Sequence, residues 1–436
     1  MIRRFRLGAL DPQRRTIVAI WALWAVILVG FQASAVERVR LVRPDAAVSW
    51  SANETQSYSN NGKVYLLEPL LNQQVAWDSE YYVGIAADGY DGALAGRATD
   101  PKTGKEIARN YSFFPGYPAA MRLAATPLLL AGMSRIPAVI LAGLLVTLLG
   151  TLAGALALDE LVRRSVPAAK RNGDEARALG IRAVVYLLVF PGAMFFAQIY
   201  TEGLFVGLAF GAIAVAHRGQ WGLAGILAGA AALTRAHGVL AAIPLAIVWW
   251  QAGGVEVLRA ALRSAASRRT RTVVAAGVPL VAIALPVLVH LAWRLSPLGE
   301  GWALLQSFYF GRGYLSIVGS LGSWVSGASY ALNQGHEAMF AFVLDRASIL
   351  LALVASLALL RRREVALGAF SLALIVASGL SGDHQSTVRY MAIVPAIPIW
   401  LAHVGRRPWF DRAWSLACTL LLGLLALLYS YDFWVA

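Results

Sequence analysis

The sequence predicts an all-α protein that crosses a membrane about eleven times. Three observations predict it. The 436 residues are 58% hydrophobic and 14% charged, whereas a soluble domain is roughly half apolar and about a quarter charged. Apolar runs of the roughly 20 residues needed for a membrane span recur along most of the chain. Between them, Lys and Arg gather in short blocks and leave a net charge of +14, the pattern of the positive-inside rule. That pattern argues against nucleic-acid binding, which calls for basic residues and aromatics on one soluble face. Cys418 is the only cysteine, so no intramolecular disulfide can form.

Taken in order, Arg3, Arg4, Arg6, Arg14 and Arg15 precede a run from Ile17 to about Val36 and place the N-terminus inside. Ala33-Ser34-Ala35 has the small-x-small spacing of a signal cleavage site, but the length of the run and its tryptophans favour an uncleaved helix. Residues 37–133 are then a first external loop. Its polar part, 37–112, holds 8 basic and 10 acidic residues, unlike the basic blocks elsewhere. Trp77 to Ala86 reads as a short amphipathic helix. Trp77, Tyr81 and Ile85 recur at i, i+4 and i+8 and can lie on the membrane, while Asp78 and Tyr82 share the adjacent face one turn apart. The stretch from Ser112 to about Leu130, with Arg122 and its prolines, suits a surface helix better than a span.

The run at 136–161 crosses next, into the block Arg163, Arg164, Lys170, Arg171, Arg177 and Arg182. Further runs follow at about 183–199, 201–217, 220–234, 237–251, 273–294, 338–360, 365–380, 390–404 and 413–431. Basic loops at Arg218, at Arg259 to Arg271, at Arg361 to Arg363 and at Arg406 to Arg412 close the even crossings. The C-terminus falls outside. Of the 38 Lys and Arg, 23 lie inside, 10 on the first loop and its surface helix, and 5 at outer helix ends or loops. A second external segment, 295–337, is rich in Trp, Tyr, Phe and Gly and suits interfacial helices. The whole chain reads as a single membrane domain.

Ionisable residues near membrane depth are costly and point to function. Here they share the outer ends: Asp78 and Glu80, Arg109, Tyr200-Thr201-Glu202, Thr234-Arg235-Ala236-His237-Gly238, Asp383-His384 and Arg389-Tyr390. Each has a structural alternative. Asp78 suits a helix dipole, Thr201 with Glu202 suits a cap, and Arg235 or Arg389 can snorkel to headgroups. Phe113-Phe114-Pro115-Gly116-Tyr117-Pro118 is either an interfacial anchor or a rigid wall against a lipid or sugar. An Asp and a His with neither Cys nor a second spaced His make a poor zinc site. The chain has no Walker loop, Rossmann fingerprint or nucleophile elbow. A lipid-linked, pre-activated donor fits a membrane enzyme with none of these.

Trp77-Asp78 with Tyr81/Tyr82, Ile85-Ala86 and Gly89-Tyr90 resembles the first-loop motif of the PIG-V-like family, the GPI mannosyltransferase II family and its bacterial relatives. Phe113-Phe114-Pro115 with Tyr117-Pro118 continues the resemblance, as do Phe190-Pro191 with Tyr200 to Phe205, Thr234-Arg235 with Gly238, and Arg389-Tyr390. The chain departs from the pattern in its long first loop and in Ala236-His237, which replaces a more usual Pro-bearing turn. The resemblance implies a GT-C glycosyltransferase fold and a polyprenyl-phosphate sugar donor, with mannose as the sugar. The acceptor is a glycolipid, a glycan or a protein, and the site faces outward, in a cell membrane or the endoplasmic reticulum.

The family's catalytic aspartate maps onto Asp78, expected as the base that takes the acceptor hydroxyl's proton. Arg389 and Arg235 are expected at the leaving phosphate, with His237 or His384 as hydrogen-bond donors. Glu80, Tyr82, Tyr117, Tyr200, Glu202 and Tyr390 complete the expected substrate-binding set. No cofactor is required by this scheme, and no metal is predicted. Two other classes compete. A lipid transporter or flippase would place polar groups at mid-depth on broken helices, and a binding scaffold would tolerate loss of Asp78. Asn53-Glu54-Thr55 and Asn110-Tyr111-Ser112 also match the N-glycosylation pattern.

Overall fold

A computed structural model describes residues 11–38, 69–92, 96–166, 173–265, 270–313, 316–382, 386–431 and 435. Arg3, Arg4, Arg6, the Asn53 sequon, Lys170, Arg171, Arg268, Arg269 and Asp383-His384 lie outside the described residues. What is described is helical, apart from one antiparallel hairpin that pairs Arg97–Thr99 with Glu106–Ala108 in the first external loop.

Among the described residues, five helices are long and apolar enough to cross a membrane: Pro12–Val36, Arg135–Arg164, Ala276–Arg294, Met339–Arg361 and Pro408–Ser430. Two bent pairs raise the number to seven if each counts as one span. They join Asp174–Val189 to Pro191–Ala197 at 85° and Ala236–Gln251 to Gly254–Arg263 at 70°. The protein is an integral, multi-pass membrane protein, and among the described residues several of the eleven expected crossings are shorter than a full-length span. Thr201–Ala216, Trp221–Thr234 and Val365–Gly379 are shorter. At 16 residues, the longest of these rises about 24 Å, against a hydrocarbon core of about 30 Å. The physical reason lies at one end of the bundle. There the chain leaves the α-helix for tight turns at Pro191–Ala197 and Ala236–Ala241 and for a short helix at Thr387–Ala392, all carrying or flanking polar residues.

The helix ends sort into two sets, as the alternation of basic blocks predicts. At one end Glu160 pairs with Arg164 and Arg218, Arg163 with Asp159, Arg406 with Glu175, and Arg362 meets His403. At the other, Gln198 donates to Gln32 at 2.7 Å and Tyr431 donates to the Ala35 carbonyl at 2.8 Å. The orientation can be tested in intact cells on a Cys418→Ser background. A cysteine replacing Thr103, exposed at the hairpin turn, reacts with an impermeant thiol reagent, and one replacing Gln220, exposed beside Arg218, reacts only after lysis. The opposite pattern inverts the protein in the membrane.

Two packing features position the site. Helices Arg135–Arg164 and Thr201–Ala216 meet through glycines. A Cβ on Gly203 would stand 2.3 Å from the Thr147 carbonyl oxygen, and one on Gly150 would stand 2.6 Å from the Leu204 Cα. Such small-residue contacts let membrane helices approach closely, and they press the Tyr200–Glu202 turn against its neighbour. The first external loop supplies the second feature. The helix Asp78–Asp88 packs on the helix Gly116–Leu130, whose Arg122 donates to the Ile85 carbonyl at 3.0 Å and to the Ala86 carbonyl at 2.8 Å.

Here one expectation is corrected. The Trp77, Tyr81 and Ile85 face does not lie on the membrane. Ile85 is buried beside Tyr82, Phe113, Tyr117 and Met121, and the Tyr81 ring stacks on Phe113 at 4.8 Å. The aromatic segment after the hairpin folds back over this helix and takes the place that lipid was expected to fill. The segment 295–337 forms two helices, Pro297–Phe308 and Ile317–Gln334. The second leaves Val318, Leu321, Val325 and Leu332 exposed, as an interfacial helix would.

Candidate active site

Asp78 opens its helix, immediately after a backbone held in an uncommon shape. Trp77 has φ 58°, a conformation costly for a bulky residue. The turn is held by the Ala76 carbonyl, which accepts from Ser79 Oγ at 2.6 Å, Tyr429 OH at 3.2 Å and Tyr200 OH at 3.4 Å. Strain held this way by its surroundings is characteristic of functional sites. A second instance occurs across the cavity, where Ser386, at φ 64°, precedes the short helix that carries Arg389 and Tyr390. There the Val388 N–H donates to Asp345 Oδ1 at 2.7 Å, which caps that helix.

The two strained segments bring opposite charges together. Arg389 Nη1 donates to Asp78 Oδ2 at 2.6 Å, and its Nε lies 3.4 Å from Glu202 Oε1. Arg389 Nη2 donates to the Tyr390 hydroxyl at 3.1 Å. The guanidinium sits among the rings of Phe195, Tyr200 and Tyr390, with centroids 5.0–5.5 Å away. Beside it, Arg235 Nη1 donates to Thr201 Oγ1 at 3.0 Å and forms a close ion pair with Glu202. Arg235 and Glu202 are 8% and 1% exposed, whereas the Asp78 side chain keeps 30% of its surface open. The two acids therefore differ in role: Glu202 is locked in a buried pair, and Asp78 is reachable.

These groups line a cavity of about 840 Å³. Its wall includes Asp78, Tyr82, Tyr200, Glu202, Arg235, His237, Arg389 and Tyr390, so the expected residues named here converge from four separate stretches of chain. His237 Nε2 lies 2.9 Å from Ser378 Oγ, and its ring centroid lies 5.7 Å from that of Tyr390. Tyr82 sits edge-on to Phe113, Tyr117 and Tyr200. Burial first, and then the charges of Asp78 and Glu202, push its phenol well above the ordinary range, so Tyr82 faces the cavity as a neutral donor.

Two expected residues lie off the cavity wall. Glu80 does not line the cavity, because two positions along a helix turn it away from Asp78. Tyr117 is fully buried behind Tyr82. Its hydroxyl meets Thr147 Oγ1 at 2.7 Å and donates to the Gly143 carbonyl at 3.0 Å, while Thr147 in turn donates to the Tyr200 carbonyl at 3.0 Å. Tyr117 thus braces the Tyr200 turn from behind. The expected His384 lies outside the described residues. Among the described residues, no group of three or more His, Cys, Asp or Glu is arranged to hold a metal ion.

Sequence reasoning missed the wall supplied by the second external segment: Trp302, Gln306, Tyr309 and Arg312. Phe114 packs there, its ring 4.0 Å from Trp293 and 5.6 Å from Trp302. A signal was present. The five outer basic residues are Arg235, Arg294, Arg312, Arg346 and Arg389, and four of them line the cavity. The fifth, Arg346, is held over the rings of Trp324 and Phe342.

The sequence profile of the family described as mannosyltransferase (PIG-V) matches residues 23–253, just over half of the chain. GPI alpha-1,6-mannosyltransferase 2 of Mus musculus is 26% identical over 237 residues, covering 54% of this chain and 42% of the relative. The Rattus norvegicus protein of the same description is 27% identical over 239 residues, with the same shares. The match thus spans under half the length of these curated relatives. An archaeal oligosaccharyltransferase, AglB from Archaeoglobus fulgidus, solved with an inhibitory peptide and a dolichol-phosphate, superposes with a TM-score of 0.42. It is 15% identical and covers 97% of this chain and 56% of its own, a likeness too slight to carry an argument. Asp78, Tyr82, Tyr200, Glu202, Arg235 and His237 fall inside the profile match; Arg312, Arg389 and Tyr390 lie beyond it.

Proposed function

The chain belongs to the mannosyltransferase (PIG-V) family, and from that premise we propose that it is a GT-C glycosyltransferase that moves mannose from a polyprenyl phosphate to an acceptor hydroxyl on the outer face of the membrane. The observation that carries this reading is the accessible Asp78 carboxylate on the wall of a cavity that otherwise presents arginines and phenols. A lipid phosphate sugar is already activated, so the protein has to supply a base, positive charge for the leaving group and a dry, shaped site.

In this reading the acceptor oxygen attacks the anomeric carbon, and the bond from that carbon to the phosphate oxygen breaks with its electron pair. The acceptor's proton passes to Asp78. Arg389 occupies one oxygen of that carboxylate and leaves the other for the proton. One displacement inverts the anomeric centre, so a β-linked donor gives an α-linked product, the linkage in the names of the mouse and rat relatives. The charges gather at one end of the bundle rather than at its middle, which favours transfer over transport.

The test is sugar transfer by purified protein from a labelled polyprenyl phosphate mannose to hydroxyl acceptors of a membrane lipid extract, with Asp78→Asn beside it. Transfer by wild type alone supports the reading, and equal transfer by both removes it. The scheme requires no metal. Treating the purified protein with EDTA therefore leaves the rate unchanged, and a loss restored by added divalent ion would overturn that part.

A further inference from the structure

We propose that Arg312, in the segment that sequence reasoning left without a role, binds the phosphate of the donor, while Arg389 and Arg235 serve the carboxylates. This rests on the proposed transfer reaction and assigns its phosphate-binding end.

The charge ledger of the cavity carries the argument. Among the described residues, four arginines and two carboxylates, Asp78 and Glu202, line the cavity. Arg389 is engaged with both acids and Arg235 with Glu202. Arg294 stands in the last turn of its helix and donates to the Gly299 carbonyl at 3.1 Å, a position where a cation already complements the helix end. Arg312 differs from all three. Its Nη1 donates to the Tyr390 hydroxyl at 3.0 Å, and its remaining contacts are with the rings of Phe310 and Tyr390. Among the described residues it meets no carboxylate; its Nε, like that of Arg389, is buried without a hydrogen-bond partner. A partly buried guanidinium without an anion is costly. An arriving phosphate supplies that anion in the geometry that a guanidinium fork binds best.

The placement is built by the fold. The Arg312 N–H donates to the Gln306 carbonyl at 2.7 Å, the Gly313 N–H to Ser381 at 2.9 Å, and the Ser316 N–H to Leu380 at 2.7 Å. Gly382, at φ 106°, lets this pairing close, since a Cβ there would stand 2.7 Å from the Gly311 carbonyl oxygen. A hydrogen-bonded chain then runs from Asp78 through Arg389 and Tyr390 to Arg312. The base stands at one end of this chain and, at the other, the cation that meets no carboxylate among the described residues. A sugar phosphate laid along it meets Asp78 with its sugar and Arg312 with its phosphate. Tyr390 accepts from both guanidiniums through its hydroxyl oxygen and so joins the two arginines.

The experiment titrates the purified full chain with farnesyl phosphate, farnesol and phosphatidylglycerol vesicles, read by the fluorescence of the cavity tryptophans Trp77 and Trp302. For Arg312→Gln, the Kd for farnesyl phosphate rises about ten- to a hundredfold, the loss of a charge-assisted hydrogen bond, and the Kd for farnesol does not move. A wild-type Kd for farnesyl phosphate in folded Arg312→Gln, with the loss appearing in Arg389→Gln instead, overturns the proposal. So do vesicles that bind as tightly as farnesyl phosphate through Arg312, since the site would then hold bulk headgroups. If the glutamine variant does not fold, Arg312→Met keeps the stem against Phe310 and Tyr390 and gives the same readout. The two readings fail separately. Wild type that binds farnesyl phosphate through Arg312 but transfers no sugar refutes the transfer reaction. Wild type that transfers sugar, with an unchanged donor KM in Arg312→Gln, refutes the role of Arg312.

Discussion

Asp78→Asn lowers kcat for sugar transfer by about 10²–10⁴-fold, the contribution of a positioned general base, and leaves the protein folded. Asparagine keeps the shape of aspartate, and its amide oxygen still accepts from Arg389, so the bond that links the first loop to the Thr387–Ala392 helix persists. What is lost is basicity at a side chain that keeps 30% of its surface open to the cavity. Donor binding changes little, because the proposed phosphate site lies at the far end of the Asp78, Arg389, Tyr390 chain. Measuring kcat and donor KM separately decides it, together with the thermal midpoint in detergent. Near wild-type kcat in a folded Asp78→Asn protein would remove Asp78 as the base. The same kcat loss accompanied by a collapsed midpoint would make Asp78 a structural partner of Arg389.

Glu202→Ala acts first on stability. Glu202 is 1% exposed and holds Arg235, with Arg389 alongside. Removing one partner of a buried ion pair leaves the other charge uncompensated, at a typical cost of about 3–5 kcal/mol. The expected result is a markedly lower thermal midpoint and poor recovery from the membrane, with activity lost as a consequence. The double variant Glu202→Leu with Arg235→Met removes both charges and recovers much of the midpoint, because a packed apolar pair escapes the penalty of an unpaired charge. A Glu202→Ala protein as stable as wild type would show that Arg235 is satisfied without Glu202.

Much of this site was legible in the sequence because membranes make charge informative. An ionisable residue beside an apolar run is expensive wherever lipid surrounds it, so Glu202, Arg235, His237 and Arg389 stood out against their surroundings, and the alternation of basic loops put them at one end; Asp78, in the polar first loop, stood out through the family resemblance. Glu80 and Tyr117 were harder to place. Both belong to motifs whose other members face the cavity, and only the direction of each side chain separates lining from support. Tyr117 points at Thr147 on the next helix, 30 residues along the chain. Arg312 was counted among the outer cations, but nothing local in Phe310-Gly311-Arg312-Gly313 distinguishes a ligand-binding arginine from one that snorkels.

The sequence by itself determined the helical membrane class, the alternation of helix ends and the end that bears the polar groups, because hydropathy, span length and loop charge are local sums over the chain. Tertiary structure decided the rest. It showed that the aromatic segment at Phe113 covers the Asp78 helix where lipid was expected. It also showed several crossings cut short by turns at Pro191 and Ala236, and arginines divided between carboxylates and open cavity. Partner choice among charges depends on distances between segments hundreds of residues apart, such as Asp78 and Arg389, and no local pattern encodes such a distance.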